Sequence, residues 1–255
     1  MINHNFKKKF GQNFINDKNL LKAIVNDANL NAKDEVLEIG AGAGALTEVI
    51  SQTAKKVVSY EIDKDLEKHL LSLSLENVTF KFNDIMELPL EEIEKDFDGN
   101  YKIIANLPYY ITSPIIFKFL NNSSKIESLT IMVQKEVAQR IVAPIGTKDY
   151  GILSIMINFY GDAFISRHVS RKMFTPVPNV DSAVVVITAN KKYKDIDGEK
   201  FFRFVQQCFS MRRKTLKNNL KCYGDKLNNL SQEMLSLRAE MLSLDQLIDI
   251  YRNIF

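Results

Sequence analysis

Glu35-Val36-Leu37-Glu38-Ile39-Gly40-Ala41-Gly42-Ala43-Gly44-Ala45-Leu46 reads as an apolar strand that runs into a glycine-rich turn and then opens a helix. At such a junction a ligand meets exposed backbone N–H groups at the carboxyl end of the strand, and glycines let it come close. Gly40, Gly42 and Ala45 satisfy the GxGxxG/A spacing of dinucleotide sites, and Glu61 and Asp63 follow Gly40 by twenty-one and twenty-three residues, where an acid can take ribose hydroxyls. A nucleotide-type cofactor fits this pattern. A nicotinamide dehydrogenase and a plain strand-to-helix turn both remain open on these residues alone. No Gly-Lys-Ser/Thr follows the glycines, which excludes ATP hydrolysis of the Walker type.

Outward from this junction, apolar strand-like runs at residues 35–39, 57–60, 78–82, 103–105, 129–133 and 183–187 alternate with helical patterns at 46–54, 64–73, 114–120, 135–142 and 152–159. This alternation predicts a doubly wound, mostly parallel α/β sheet. Beyond Asn190 the pattern changes to a polar stretch and then to short amphipathic helices, expected at 198–209, 213–222, 231–237 and 244–251. The expected division is therefore an α/β domain over residues 1–190 and a small all-helical domain over 191–255.

Composition bounds the function. With 255 residues the chain has room for one large domain and a smaller companion, taking roughly 150 residues per domain. Hydrophobic residues at 45% and charged residues at 25% exclude disordered and fibrous classes. The two cysteines, Cys208 and Cys222, make no disulfide framework, and no apolar run reaches the roughly 18 residues of a membrane span. A cytoplasmic protein with no membrane involvement is expected. His4, His69 and His168 lack ligand spacing, so no metal site is expected. The net charge of +3 hides an uneven distribution. Lys7, Lys8, Lys9, Lys18 and Lys22 cluster near the start, and Arg212, Arg213, Lys214, Lys217 and Lys221 crowd residues 210–221 without an acid. Two basic segments suit a polyanionic partner.

The strand ending at Ala105 runs into Asn106-Leu107-Pro108-Tyr109-Tyr110, which brings an amide, a rigid turn and aromatic rings to the ligand edge of the sheet. An exocyclic adenine amine is a poor nucleophile because its lone pair is conjugated with the ring. An enzyme that alkylates it needs acceptors that turn the amino hydrogens out of plane. The Asn106 side-chain oxygen and a backbone carbonyl beside Pro108 suit that task, and Tyr109 suits stacking on a base, worth about 1 to 3 kcal/mol.

Together with Phe10-Gly11-Gln12-Asn13-Phe14, Phe174-Thr175-Pro176-Val177-Pro178-Asn179-Val180-Asp181-Ser182-Ala183 and Arg212-Arg213-Lys214-Thr215-Leu216-Lys217-Asn218, these motifs resemble the ribosomal RNA adenine N6-dimethyltransferases, nearest to their small-subunit type. The resemblance spans nearly the whole chain. It implies a class I, Rossmann-like methyltransferase domain using S-adenosylmethionine. Asn13, Ile15, the Gly40–Gly42 loop and Asn106 would lie near the cofactor, Glu61 on its ribose, and Asp84 and Ile85 beside its adenine. By the same resemblance Asn106 and the Leu107 carbonyl would take the target amine, with Tyr109 stacked on one face of the base and Phe174 on the other. The implied partners are the small ribosomal subunit and its 16S rRNA, with two adjacent adenosines of the 3′-terminal hairpin loop as substrate and the protein as a monomer. Ala41 stands where a proline is commoner in the family, and Ile15 where leucine is common. The large-subunit, macrolide-resistance relatives are the nearest rival, and a non-catalytic assembly factor is a second.

Overall fold

The structure is a computed structural model that describes residues 14–15, 17–108, 111–190 and 192–255. Its strands are β1 (Phe14–Ile15), β2 (Glu35–Ile39), β3 (Lys56–Tyr60), β4 (Val78–Lys81), β5 (Tyr101–Asn106), β6 (Ile126–Gln134), β7 (Gly161–Val169), β8 (Phe174–Thr175) and β9 (Ser182–Ala189). Helices α1 (Lys18–Asp27), α2 (Ala45–Ser51), α3 (Glu67–Ser72), α4 (Leu90–Glu94), α5 (Thr112–Asn122) and α6 (Lys135–Ile141) intervene between the early strands. The chain divides into two units, one of residues up to 138 with 164–189, the other of 139–163 with 190–255.

The first unit is built on a seven-stranded sheet ordered β4-β3-β2-β5-β6-β9-β7. Pairing is parallel from β4 through β6, and β9 returns antiparallel to β6. Central parallel strands with both faces covered read as continuous apolar runs. Accordingly every residue of β2 and four of the five in β3 are buried. Helix α1 starts where the Asp17 carboxylate accepts the N–H groups of Asn19 and Leu20, and it turns Leu20, Leu21, Ile24 and Val25 inward. These meet Val36, Ile50, Val57 and Ile104 in one cluster. Arg167 on β7 grips Asp27 of α1 through Nε and Nη2, both at 2.6 Å. The fork geometry makes this a directional tie and not merely a charge pair.

The second unit has its own core. Helices α7 (Ile152–Tyr160), α8 (Gly198–Cys208), α9 (Leu216–Asn219), α10 (Gln232–Ser236) and α11 (Leu244–Ile254) belong to it. Phe201 meets Phe159 and Tyr251 at ring-centroid distances of 4.7 and 5.4 Å, and Asp197 and Ser243 cap α8 and α11. Among the described residues no helix is long and apolar enough to cross a membrane.

Several elements depart from expectation. Residues 139–163, assigned by chain position to the α/β domain, join the helical tail instead. Their contacts are non-local: the Tyr150 hydroxyl donates to the Leu242 carbonyl at 3.0 Å. Strand β7 has no sequence forecast because its edge position leaves Asp162, Phe164 and His168 exposed and breaks the apolar run. The helix expected at 213–222 shortens to α9. Replacement of Ile104, fully buried at the centre of β5, by Ala is expected to cost about 2 to 5 kcal/mol of stability. Urea unfolding of the variant measures this as a lowered midpoint at unchanged slope.

Candidate active site

Sheet register assembles the site. Ile39 on β2 lies opposite Tyr60 on β3 and Ala105 on β5, so Gly40, Glu61 and Asn106 leave the sheet at one level. The turn after β2 is then fixed by its neighbour: the N–H groups of Gly40 and Ala41 both donate to the Tyr60 carbonyl, at 2.8 and 3.2 Å. Gly42 has a φ of +55°, and a Cβ there would sit 2.7 Å from Cε1 of Phe14, so glycine is needed for both conformation and space. Gly40, with φ of +84°, passes the Asn106 carbonyl.

Glu61 closes the turn from the side. Its Oε2 accepts the Gly42 N–H at 2.7 Å and its Oε1 the Asp63 N–H at 2.8 Å. Burial raises the Glu61 pKa, with these backbone donors opposing the rise. Each carboxylate oxygen keeps acceptor capacity for a further donor. Asp84, beyond β4, accepts the Met86 N–H at 2.8 Å on Oδ1. On the opposite side, Leu107 donates its N–H to the Met132 carbonyl at 3.3 Å and Ile111 to the Pro108 carbonyl at 3.2 Å, which anchors the Asn106–Pro108 turn to β6 and to the start of α5.

These parts enclose a cavity of about 240 Å³. Of the residues singled out in the sequence, Ile15, Gly40, Gly42, Glu61, Asp84, Ile85, Asn106 and Leu107 line it. Asn13 and Tyr109 lie outside the described residues. Phe174 is not among the lining residues: it is 2% exposed, pairs with Ile15 across β1 and β8, and packs in the core cluster behind that wall. Sequence reasoning did not single out Phe14, Met86, Pro108 and Ile111, which also line the cavity. Phe14 and Pro108 sit inside motifs already quoted, whereas Met86 and Ile111 carry no pattern of their own. Among the described residues, no group of three or more His, Cys, Asp or Glu is placed to hold a metal ion.

Beneath the turn lies a fully buried acid, Glu38. Its Oε2 accepts the hydroxyls of Thr47 and Ser59, each at 2.6 Å, and its Oε1 has no partner among the described residues. Burial pushes its pKa up to about 7, with the two hydroxyls opposing and the nearby Glu61 charge adding to the rise.

The seven-stranded sheet, parallel from β4 to β6 with β9 antiparallel beyond, together with the glycine turn and the acid after β3, is that of a class I methyltransferase fold, as the family and structural matches show. The family described as "Ribosomal RNA adenine dimethylase" matches residues 3–254. Relatives named "Ribosomal RNA small subunit methyltransferase A" include those of Caldanaerobacter subterraneus subsp. tengcongensis, 44% identical over 96% of this chain and 95% of its own, and of Mycoplasma mobile, 40% identical over 100% and 98%. The chain belongs to the ribosomal RNA adenine dimethylase family. Among solved structures, a dimethyladenosine transferase from Plasmodium falciparum superimposes with a TM-score of 0.81, at 24% identity over 93% of this chain and 95% of that one. The 23S rRNA methyltransferase ErmE gives 0.70, at 24% identity over 95% and 99%. These two likenesses speak for the fold.

The raised pKa of Glu38 fixes the sign of a pH effect. The unfolded chain loses the Glu38 proton near the ordinary value of 4.5, and the folded protein keeps it to about 7. Between those values the folded state binds more protons, so stability falls as pH rises, and the effect levels off above about 7. Glu38→Gln removes this component, about 3 kcal/mol by the conversion of pKa shift to free energy. Melting temperatures from about pH 5 to 8 are expected to show the variant gaining on the unaltered protein as pH rises. A constant difference across that range would contradict the assignment.

Proposed function

We propose that the protein transfers methyl groups from S-adenosylmethionine to N6 of two adjacent adenosines in the 3′-terminal hairpin loop of 16S rRNA, during small-subunit biogenesis. The observation that carries the reading is the shared cavity, in which the glycine turn, Glu61 and Asp84 face the Asn106–Pro108 turn across the edge of one sheet. The relatives at 40% identity and above carry the small-subunit name, which favours that substrate over large-subunit RNA.

The residues present suit the cofactor. A glycine turn that a Cβ at Gly42 would obstruct leaves backbone close to the cavity, Glu61 retains lone pairs for ribose hydroxyls, and Asp84 offers an acceptor for an adenine amine beside the apolar Ile85. Asn13 and Ile15 complete the wall in this reading. When bound, S-adenosylmethionine supplies an electrophilic methyl on a sulfonium. Asn106, through its side-chain oxygen, and Leu107, through its carbonyl, would accept the N6 hydrogens of the target base, two before the first transfer and one before the second, and would turn the nitrogen lone pair toward the donor. The same acceptors stabilise the positive charge that develops on nitrogen. The proton then leaves the acidic alkylated nitrogen for water, so no strong general base is required. Tyr109 stacks on one face of the base. Phe174 packs behind Ile15 and does not line the cavity, so the second face of the base has no assigned aromatic partner.

Loop adenosines suit this chemistry because they are already largely unpaired. Arg212, Arg213, Lys214, Lys217 and Lys221 are exposed on the second unit and are assigned to RNA phosphates. The protein acts as a cytoplasmic monomer in this reading.

Methyl-labelled cofactor and undermethylated small subunits are expected to yield close to four methyls on two neighbouring adenosines. Label in large-subunit RNA would select the rival substrate, and cofactor binding without any label would select a non-catalytic assembly role. Asn106→Ala is expected to abolish transfer while cofactor affinity, measured by calorimetry, is retained. Charge reversal at Arg213 and Lys217 is expected to weaken RNA binding and reduce the slope of log affinity against log salt by about 0.7 to 0.9 for each phosphate no longer neutralised. An unchanged slope would remove these residues from the interface.

A further inference from the structure

Helix α5 begins at Thr112, and its single cation is the half-buried Lys118. The Lys118 Nζ donates to three backbone carbonyls of the loop between β4 and α4: Ile85 at 2.6 Å, Met86 at 3.1 Å and Leu88 at 2.5 Å. An ammonium has three N–H donors, so these acceptors use its capacity. Burial lowers the Lys118 pKa, and the Asp84 charge opposes that shift. Three carbonyl dipoles aimed at one point repel each other unless a cation stands there. The loop is otherwise tied through the Met86 N–H to Asp84 Oδ1 and the Glu87 N–H to the Asp84 carbonyl at 3.1 Å, both within the loop itself.

We propose that Lys118 is a positioning residue that holds the 85–88 backbone so that Asp84 and Ile85 face the purine of the cofactor. The inference rests on the reading of the cavity as an S-adenosylmethionine site. Its consequence is specific, because Lys118 does not line the cavity and would act only through the loop assigned to the 6-amino group. The start of the same helix is tied to the Asn106–Pro108 turn by the Ile111 N–H, which donates to the Pro108 carbonyl at 3.2 Å, so one helix bears on both halves of the site. No sequence motif marks the residue: it stands thirty-three positions past Ile85 on an ordinary amphipathic helix.

The test compares S-adenosylhomocysteine with the analogue whose adenine is replaced by a 6-oxo purine, each titrated by calorimetry into the full chain. Lys118→Met is expected to weaken S-adenosylhomocysteine about tenfold, the scale of a lost charge-assisted hydrogen bond, and to leave the weaker 6-oxo analogue little changed. Amide exchange at Met86 is expected to accelerate in the variant. Equal losses for both ligands would reduce Lys118 to general stability and overturn the proposal, as would unchanged affinity for S-adenosylhomocysteine. Should Lys118→Met not fold, Lys118→Gln, which keeps two donors, reads the same difference between ligands. Failure of the unaltered protein to bind S-adenosylhomocysteine would overturn the cofactor reading itself, and is distinguishable because it needs no variant.

Discussion

Without the common register of β2, β3 and β5 there would be no site. Parallel strands that pair Ile39 with both Tyr60 and Ala105 must end together, and the residues beyond each end are delivered to the same edge. A slip of one residue in β2 or β3 would turn Glu38 or Ser59 to the opposite face and break the buried Glu38–Ser59 hydrogen bond, so these polar groups favour the observed register. The Glu61 carboxylate then ties one strand end to another by accepting the Gly42 N–H. The cavity at this edge results from strand pairing and the turns it delivers.

That arrangement opposes stability locally. Glycines at positive φ raise the entropy lost on folding. Glu38 buries a carboxyl whose Oε1 has no partner among the described residues, and Glu61 adds a second acid nearby. Apolar neighbours compensate: Val36, Leu37, Ile103 and Ile104 are fully buried in the same strands. The polar set sits where the sheet meets the turn, so the hydroxyls of Thr47 and Ser59 can reach Glu38 from α2 and β3.

The second unit solves a different problem, holding a basic segment in a defined shape by hydrogen bonds of its own. Asn219 is buried, and its Nδ2 donates to the carbonyls of Cys208 at 2.6 Å and Met211 at 3.3 Å, while Gln207 donates to the Asn219 carbonyl at 2.7 Å. The Ser210 hydroxyl completes the set by donating to the Asn219 Oδ1 at 3.4 Å. These bonds close the turn between α8 and α9. Because one buried amide satisfies the backbone inside the turn, Arg212, Arg213 and Lys214 are left on its exposed side.

Local patterns in the chain were enough to establish the alternation of strands and helices, the glycine turn, the acid after the second strand and the Asn-Leu-Pro turn. Each rests on periodicity over a few residues, or on a residue type that few backbone states demand. The family was legible too, through motifs spread along the chain. Folding alone settled that residues 139–163 side with the tail, that Phe174 packs behind Ile15 instead of lining the cavity, and that Lys118 reaches back to the 85–88 carbonyls. Those facts depend on contacts between residues far apart in sequence. A lysine on a helix or a phenylalanine on a short strand looks the same in sequence whatever it meets, and which partner it meets is fixed by packing.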